Sequence, residues 1–287
     1  MTTGNANKIA VITGATGGIG TQVCKYLVAN GYTLYAATRN AGKSSQLLQT
    51  LAESFSAPDS LRDTADYINF IPLELNSINS ANEFCEAIIG KLQGKKIDLL
   101  INNAGMISPV LEITPDGHES IMQVNYLATR EITSRLLPHI SDNGRIINTV
   151  SCTINTANYR KALIECEKKE FIQPRRMGTI ASLKRYSNAK LMLAIYTASL
   201  HRELGHNGSG IMVCAADPGI VNTGIITMHR WYDFLSNLLF RPLIKSPELG
   251  AKAIINAIEY NGSKVGQPYI FHSSNRVPIS NRILKRD

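Results

Sequence analysis

Apolar and polar positions along the chain repeat one theme. Short runs of β-branched and other apolar residues alternate with longer segments whose apolar positions recur at helical spacing. Residues 8–13 (KIAVIT) read as a strand, and residues 19–29 as a helix that Asn30-Gly31 ends. Further strands are expected at 33–37, 68–73, 97–101, 145–150 and 210–215. Helices are expected at 80–92, through Asn125 and Leu137, at 163–171 and at 186–204. Unbroken β-branched runs suit strands covered on both faces. Strands separated by helices require crossover connections and hence a parallel sheet. No solenoid-length repeat or low-complexity linker divides the chain. The pattern predicts one doubly wound α/β domain of Rossmann type over residues 1–287, with a mostly parallel central sheet.

Composition changes this picture little. With 44% hydrophobic and 18% charged residues, the 287-residue chain is ordinary for a globular protein and excludes disorder. The net charge of +8 invites a polyanion partner, but the charge is local. Residues 1–52 hold four bases and no acid, residues 53–158 hold an acidic excess, and residues 159–185 carry +5. No recognition motif or basic-aromatic pattern accompanies these bases, so nucleic acid is not an expected partner. The five scattered cysteines form no CxxC pair and suit reduced thiols and a cytoplasmic location. Met1–Asn7 is too short and polar for a signal peptide or an anchor, and no stretch approaches the ~20 apolar residues of a membrane span.

Candidate chemistry begins at Thr13-Gly14-Ala15-Thr16-Gly17-Gly18-Ile19-Gly20, between the first strand and first helix. Glycines there permit a tight turn and a close backbone approach to a pyrophosphate, which the helix N-terminus attracts. An NAD-binding unit usually places an acid about 20 residues on, at the end of the second strand. That position is Thr38, followed by Arg39, and the first acid of the chain is Glu53. A guanidinium pairs with a ribose 2′-phosphate that a carboxylate would repel, so Arg39, helped by Lys43, favours NADP(H) over NAD(H). Tyr186 and Lys190 stand at i and i+4, on one helix face, where an ammonium brings a phenol toward acid–base work at neutral pH.

These features occur in order with NNAG at 102–105, VN at 124–125, Ser151 and PGIVNT at 218–223. Together they resemble the short-chain dehydrogenase/reductase family, and the 112–129 and 245–253 stretches look most like its retinol-dehydrogenase-type branch. The resemblance implies an oxidoreductase that moves hydride between NADP(H) and a carbonyl or alcohol. Tyr186 would exchange the proton, Lys190 would bind the nicotinamide ribose and lower the Tyr186 pKa, Ser151 would hold the substrate oxygen, and Asn125 would hold a relay water. Gly14, Thr16, Gly18, Ile19, Gly20, Asn102, Ala104 and Gly105 would line the cofactor, with Glu74 and Leu75 beside the adenine. Pro218, Gly219, Val221 and Thr223 would lie at the nicotinamide end. The family also implies a homo-oligomer. A protein that binds the dinucleotide without turnover is the alternative.

Two segments fall outside the motif set. Residues 156–185 insert between Ser151 and Tyr186 and border the expected substrate entrance, as a substrate element or a solvated excursion. Residues 224–246 include Trp231, Tyr232, Phe234, Leu238 and Phe240. They suit an apolar lid over a bulky hydrophobic substrate, core or dimer packing, or peripheral membrane contact.

Overall fold

The computed structural model describes residues 8–54, 66–169, 173–221, 245–262, 266–280 and 283. In chain order these form β1 (Lys8–Thr13), α1 (Gly18–Ala29), β2 (Tyr32–Thr38), α2 (Ala41–Ser54), β3 (Ile68–Pro72), α3 (Ile78–Leu92), β4 (Ile97–Asn102) and β5 (Val110–Leu111). Next come the helical run α4 (residues 120–136), β6 (Ile140–Thr149), α5 (Tyr159–Glu167), β7 (Arg175–Arg176) and α6 (Thr179–His206). β8 (Met212–Ala216), α7 (Pro247–Glu259), β9 (Tyr269–Phe271) and β10 (Arg276–Pro278) complete the set.

The main sheet runs β10-β9-β8-β6-β4-β1-β2-β3. All its neighbours are parallel except β10, which pairs antiparallel with β9. Period-two alternation sends Ala10, Ile12, Leu34, Ala36, Leu99 and Ile101 to one face, against Val23 and Leu27 of α1 and Ile254 and Ala257 of α7. Ile9, Val11, Tyr35, Ala37 and Leu100 face the other way, onto Phe84 and Ile88 of α3 and Ile132 of α4. Each fully buried Val, Leu, Ile or Phe among them is worth about 1.5–3 kcal/mol, so both layers hold the sheet firmly. The strand order reverses between β1 and β4, which places a crevice at their carboxyl ends.

The insertion differs from its expected form. α6 starts at Thr179, seven residues before Tyr186, so the end of the insertion is the first turns of the reactive helix. The amphipathic helix is Tyr159–Glu167, earlier than the expected 163–171, because the Asn158 side chain caps it by accepting from the Lys161 N–H. Arg175 and Arg176 pair with Leu111 and Val110 in a small second sheet. Thr223 and residues 224–244 of the expected lid lie outside the described residues.

Candidate active site

The Gly-rich turn is clamped by the segment after β4. The Thr13 hydroxyl accepts the Asn103 and Ala104 N–H groups, each at 3.1 Å. Asn103 Nδ2 donates to the carbonyls of Thr13 and Gly14, each at 3.2 Å. Gly14 has φ +68, and a Cβ on it would stand 2.9 Å from Ala104 Cα. A Cβ on Gly20 would run into the Gly14 carbonyl, so helix and turn touch only because Gly20 has no side chain. Gly17, at the N-cap of α1, supplies no side-chain cap, and the first turn contains no acid. The N–H groups and positive dipole end of α1 are thus left for an anion, with Thr16, Gly18 and Ile19 at that end.

At the end of β2, Arg39 Nη1 lies 3.8 Å from Glu74 Oε2, with the side chains 68% and 47% exposed. Such a pair is worth at most about 1 kcal/mol, so Arg39 can exchange it for a phosphate. Lys43 stands on the first turn of α2, and its N–H donates to Asn40 Oδ1 at 3.2 Å. Leu75 is buried beside Glu74. Asn102 is placed differently from the other cofactor candidates. Its Nδ2 donates inward to Thr133 Oγ1 at 2.9 Å and Asn148 Oδ1 at 2.8 Å, and Asn148 Nδ2 continues to Thr197 Oγ1 at 3.0 Å. This buried polar ladder ties β4 and β6 to α4 and α6; the side chain that reaches the Gly-rich turn is Asn103.

The reactive side chains converge at the carboxyl end of β6. Lys190 is 2% exposed, its Nζ donates to the Thr149 carbonyl at 2.7 Å, and it stands 5.8 Å from the Tyr186 ring centroid. Ser151 hydrogen-bonds the Tyr186 hydroxyl, and its Oγ also accepts from the Thr153 N–H at 3.3 Å. Asn125 sits in a π-turn, Gln123–Leu127, within α4. Its Nδ2 donates to the Met106 and Ile121 carbonyls, both at 2.8 Å, and its Oδ1 accepts the Met106 N–H at 3.2 Å. Both amide hydrogens are therefore spent, one on the segment after β4 and the other on its own helix. Glu119 steadies this helix by accepting from the Ile121 and Met122 N–H groups at 3.0 and 3.1 Å. Gly105 closes the cluster, since a Cβ there would meet Asn125 Oδ1 at 2.8 Å and Lys190 Nζ at 3.3 Å. Pro218 is buried, Gly219 has φ +77, and Val221 bridges to Lys245.

Burial governs the electrostatics. It pushes the Tyr186 phenol well above its ordinary value, aided by the nearby Asp217 charge and opposed by the Ser151 hydrogen bond. It also pulls the Lys190 ammonium down to about 7. The lowering of Tyr186 expected from Lys190 does not appear here, because burial dominates the shift of each group. Sequence reasoning passed over Asp217, a buried carboxylate that accepts from the Gly219 N–H at 2.9 Å and lies 3.6 Å from His272 Nδ1. An acid just before Pro218-Gly219 was its only sequence signal. Among the described residues no cluster of metal-ligating side chains occurs, and no helix is long and apolar enough to cross a membrane.

The family model described as short chain dehydrogenase matches residues 8–162. Human retinol dehydrogenase 13 is 32% identical over 253 residues, covering 85% of this chain and 70% of that protein. Human polyprenol dehydrogenase is 29% identical over 271 residues, covering 93% of this chain and 77% of its own length. Among solved structures, a short chain dehydrogenase from Burkholderia cenocepacia J2315 in complex with NADP superposes with a TM-score of 0.67 at 19% identity, covering 93% of this chain and 96% of that one. With a turn and a Ser-Tyr-Lys cluster in the order of the motifs, the chain belongs to the short-chain dehydrogenase family of oxidoreductases, with retinol-dehydrogenase-like relatives.

Proposed function

We propose that this protein is an NADP(H)-dependent carbonyl reductase for bulky hydrophobic aldehydes or ketones, built as one catalytic domain. The observation that carries the reading is the meeting of Ser151, Tyr186 and Lys190 at the end of β6, beside a turn fitted to a pyrophosphate. Bound there, the dinucleotide supplies the hydride.

The chain's own residues do the rest. Gly14, Thr16, Gly18, Ile19 and Gly20 hold the pyrophosphate through the open end of α1. Arg39 leaves Glu74 for the 2′-phosphate, which favours NADP(H). Lys190 gives one donor to Thr149 and has further donors for a ribose hydroxyl. Ser151 donates to the substrate oxygen and orients it toward Tyr186. Tyr186 is the acid that delivers a proton to that oxygen. Its buried phenol is protonated at neutral pH and so is able to donate in the reductive direction. Asn125 keeps the 105–106 backbone against Lys190. The names of the two human relatives, for retinol and for a polyprenol, support a hydrophobic alcohol or carbonyl.

NADPH oxidation against a panel of hydrophobic aldehydes and ketones tests the reading. Turnover is expected with some of them, and Tyr186→Phe is expected to reduce it by about 10²–10⁴. A protein that binds NADPH, turns over none of the panel and behaves identically as Tyr186→Phe would be a dinucleotide-binding protein without turnover.

A further inference from the structure

The insertion between Ser151 and Tyr186 presents apolar as well as basic side chains. Ile164 on α5 is 60% exposed, and Ile180 and Leu183 at the start of α6 are 71% and 42% exposed. Single exposed apolar residues need no explanation, but a group of them beside a basic rim does. Ile180, Leu183 and Lys184 follow helical spacing and share one face of the first turns of α6. Leu183 precedes Tyr186 by three positions and Lys190 by seven, so the exposed apolar stripe runs along the helix toward the reactive pair.

The charge beside this stripe is mainly positive. Arg175, Arg176 and Lys184 are exposed, and α5 adds exposed Arg160 and Lys161. Of the acids here, Glu112 beside β5 and Glu167 at the end of α5 are exposed, and Glu165 is engaged within the protein. It lies 3.7 Å from Arg185 and accepts from Asn188 Nδ2 at 2.9 Å. The arginine pair is held in place, since β7 pairs with β5 and the Met177 N–H donates to the Pro109 carbonyl at 2.7 Å.

We propose that Ile180 and Leu183, with Arg175, Arg176 and Lys184, seat the protein on an anionic lipid bilayer, with the Tyr186 end of α6 toward the membrane. A polyanion such as nucleic acid would satisfy the cations and leave the two apolar side chains in water. A bilayer takes both, with anionic headgroups against the bases and the acyl boundary around Ile180 and Leu183. Binding stands independently of the reductase reading. Its consequence rests on that reading: a hydrophobic carbonyl compound would be drawn from the bilayer rather than from water.

The test is co-sedimentation of the full chain with vesicles of phosphatidylserine and phosphatidylcholine, and with phosphatidylcholine alone. Binding is expected to the anionic vesicles and to weaken as salt rises. Arg175→Glu with Arg176→Glu is expected to weaken it at least about tenfold, since each base near such a surface contributes appreciably. Ile180→Asn with Leu183→Asn is expected to weaken it by roughly tenfold at unchanged charge. Both double variants should keep the wild-type Tm, and the charge variant should keep the wild-type rate of NADPH oxidation with a small water-soluble carbonyl. Loss of that rate in wild type would count against the reductase reading alone. Equal binding to both vesicle types, absence of binding, or a defect in the charge variant that the apolar variant lacks would overturn the proposal; the last result would identify a polyanion partner.

Discussion

Lys190→Met separates what the buried ammonium costs from what it does. A fall in its pKa from 10.5 to about 7, at roughly 1.4 kcal/mol for each pH unit, puts the cost of keeping it charged in the fold on the order of 5 kcal/mol at neutral pH. Between pH 7 and 10 the unfolded chain holds this proton and the folded chain releases it. The unfolded state then binds more protons, so stability rises with pH through this window. Below pH 7 both states are protonated and the full cost remains. Above about pH 9 the trend reverses, because burial raises Cys24, Cys85 and Cys214 from 9.0 to about 12 and only the unfolded thiols ionise; Tyr186 adds to this above pH 10. Methionine keeps the length, removes the charge, and leaves the Thr149 carbonyl without its donor, which costs about 1–3 kcal/mol. The net gain at pH 7 is roughly 2–4 kcal/mol, or about 4–8 °C in Tm for a domain of this size. Thermal scans from pH 7 to 8.5, below the range in which the buried thiols act, should show the wild-type Tm climbing and the Lys190→Met value higher at pH 7 and nearly flat, while NADPH-dependent turnover falls by on the order of 10² or more. A flat wild-type profile with a variant less stable at every pH would refute the assignment of burial as the dominant force on Lys190.

Arg39→Ala should raise the KM for NADPH at least several-fold and leave that for NADH unchanged, as measured by initial rates with each cofactor; an equal effect on both would remove Arg39 from the 2′-phosphate. Gly105→Ala should cost about 1–3 kcal/mol by overpacking and lower kcat, because its methyl meets Asn125 Oδ1 at 2.8 Å; denaturant melts and turnover read the two effects. Asn148→Ala should destabilise by about 1–3 kcal/mol through the stranded Asn102 and Thr197 partners, with the KM for NADPH little changed.

The sheet and the reactive pair were legible because each rests on local pattern. Strands such as KIAVIT declare themselves by apolar continuity, and Tyr186 with Lys190 by spacing. The π-turn at Gln123–Leu127 was not, since tertiary contact between Asn125 and Met106 selects it over the α-helix that the residues otherwise suit. The start of α6 at Thr179 was hidden by its cap, Gly178, a residue that reads as a breaker. Asn102 sat inside a recognised motif, but its inward turn depends on Thr133 and Asn148, far away in sequence. Spacing suggested that Lys190 lowers the Tyr186 pKa; the fold buries both so deeply that desolvation prevails.

Hydride transfer itself is the central claim. Incubation with NADPH deuterated at the transferable C4 position and a hydrophobic aldehyde, followed by mass spectrometry of the alcohol, reads it directly. Deuterium on the former carbonyl carbon with the wild-type protein, and its near-complete loss with Tyr186→Phe, is the predicted result. Tight NADPH binding with unlabelled, unreduced aldehyde across the whole panel would contradict the account.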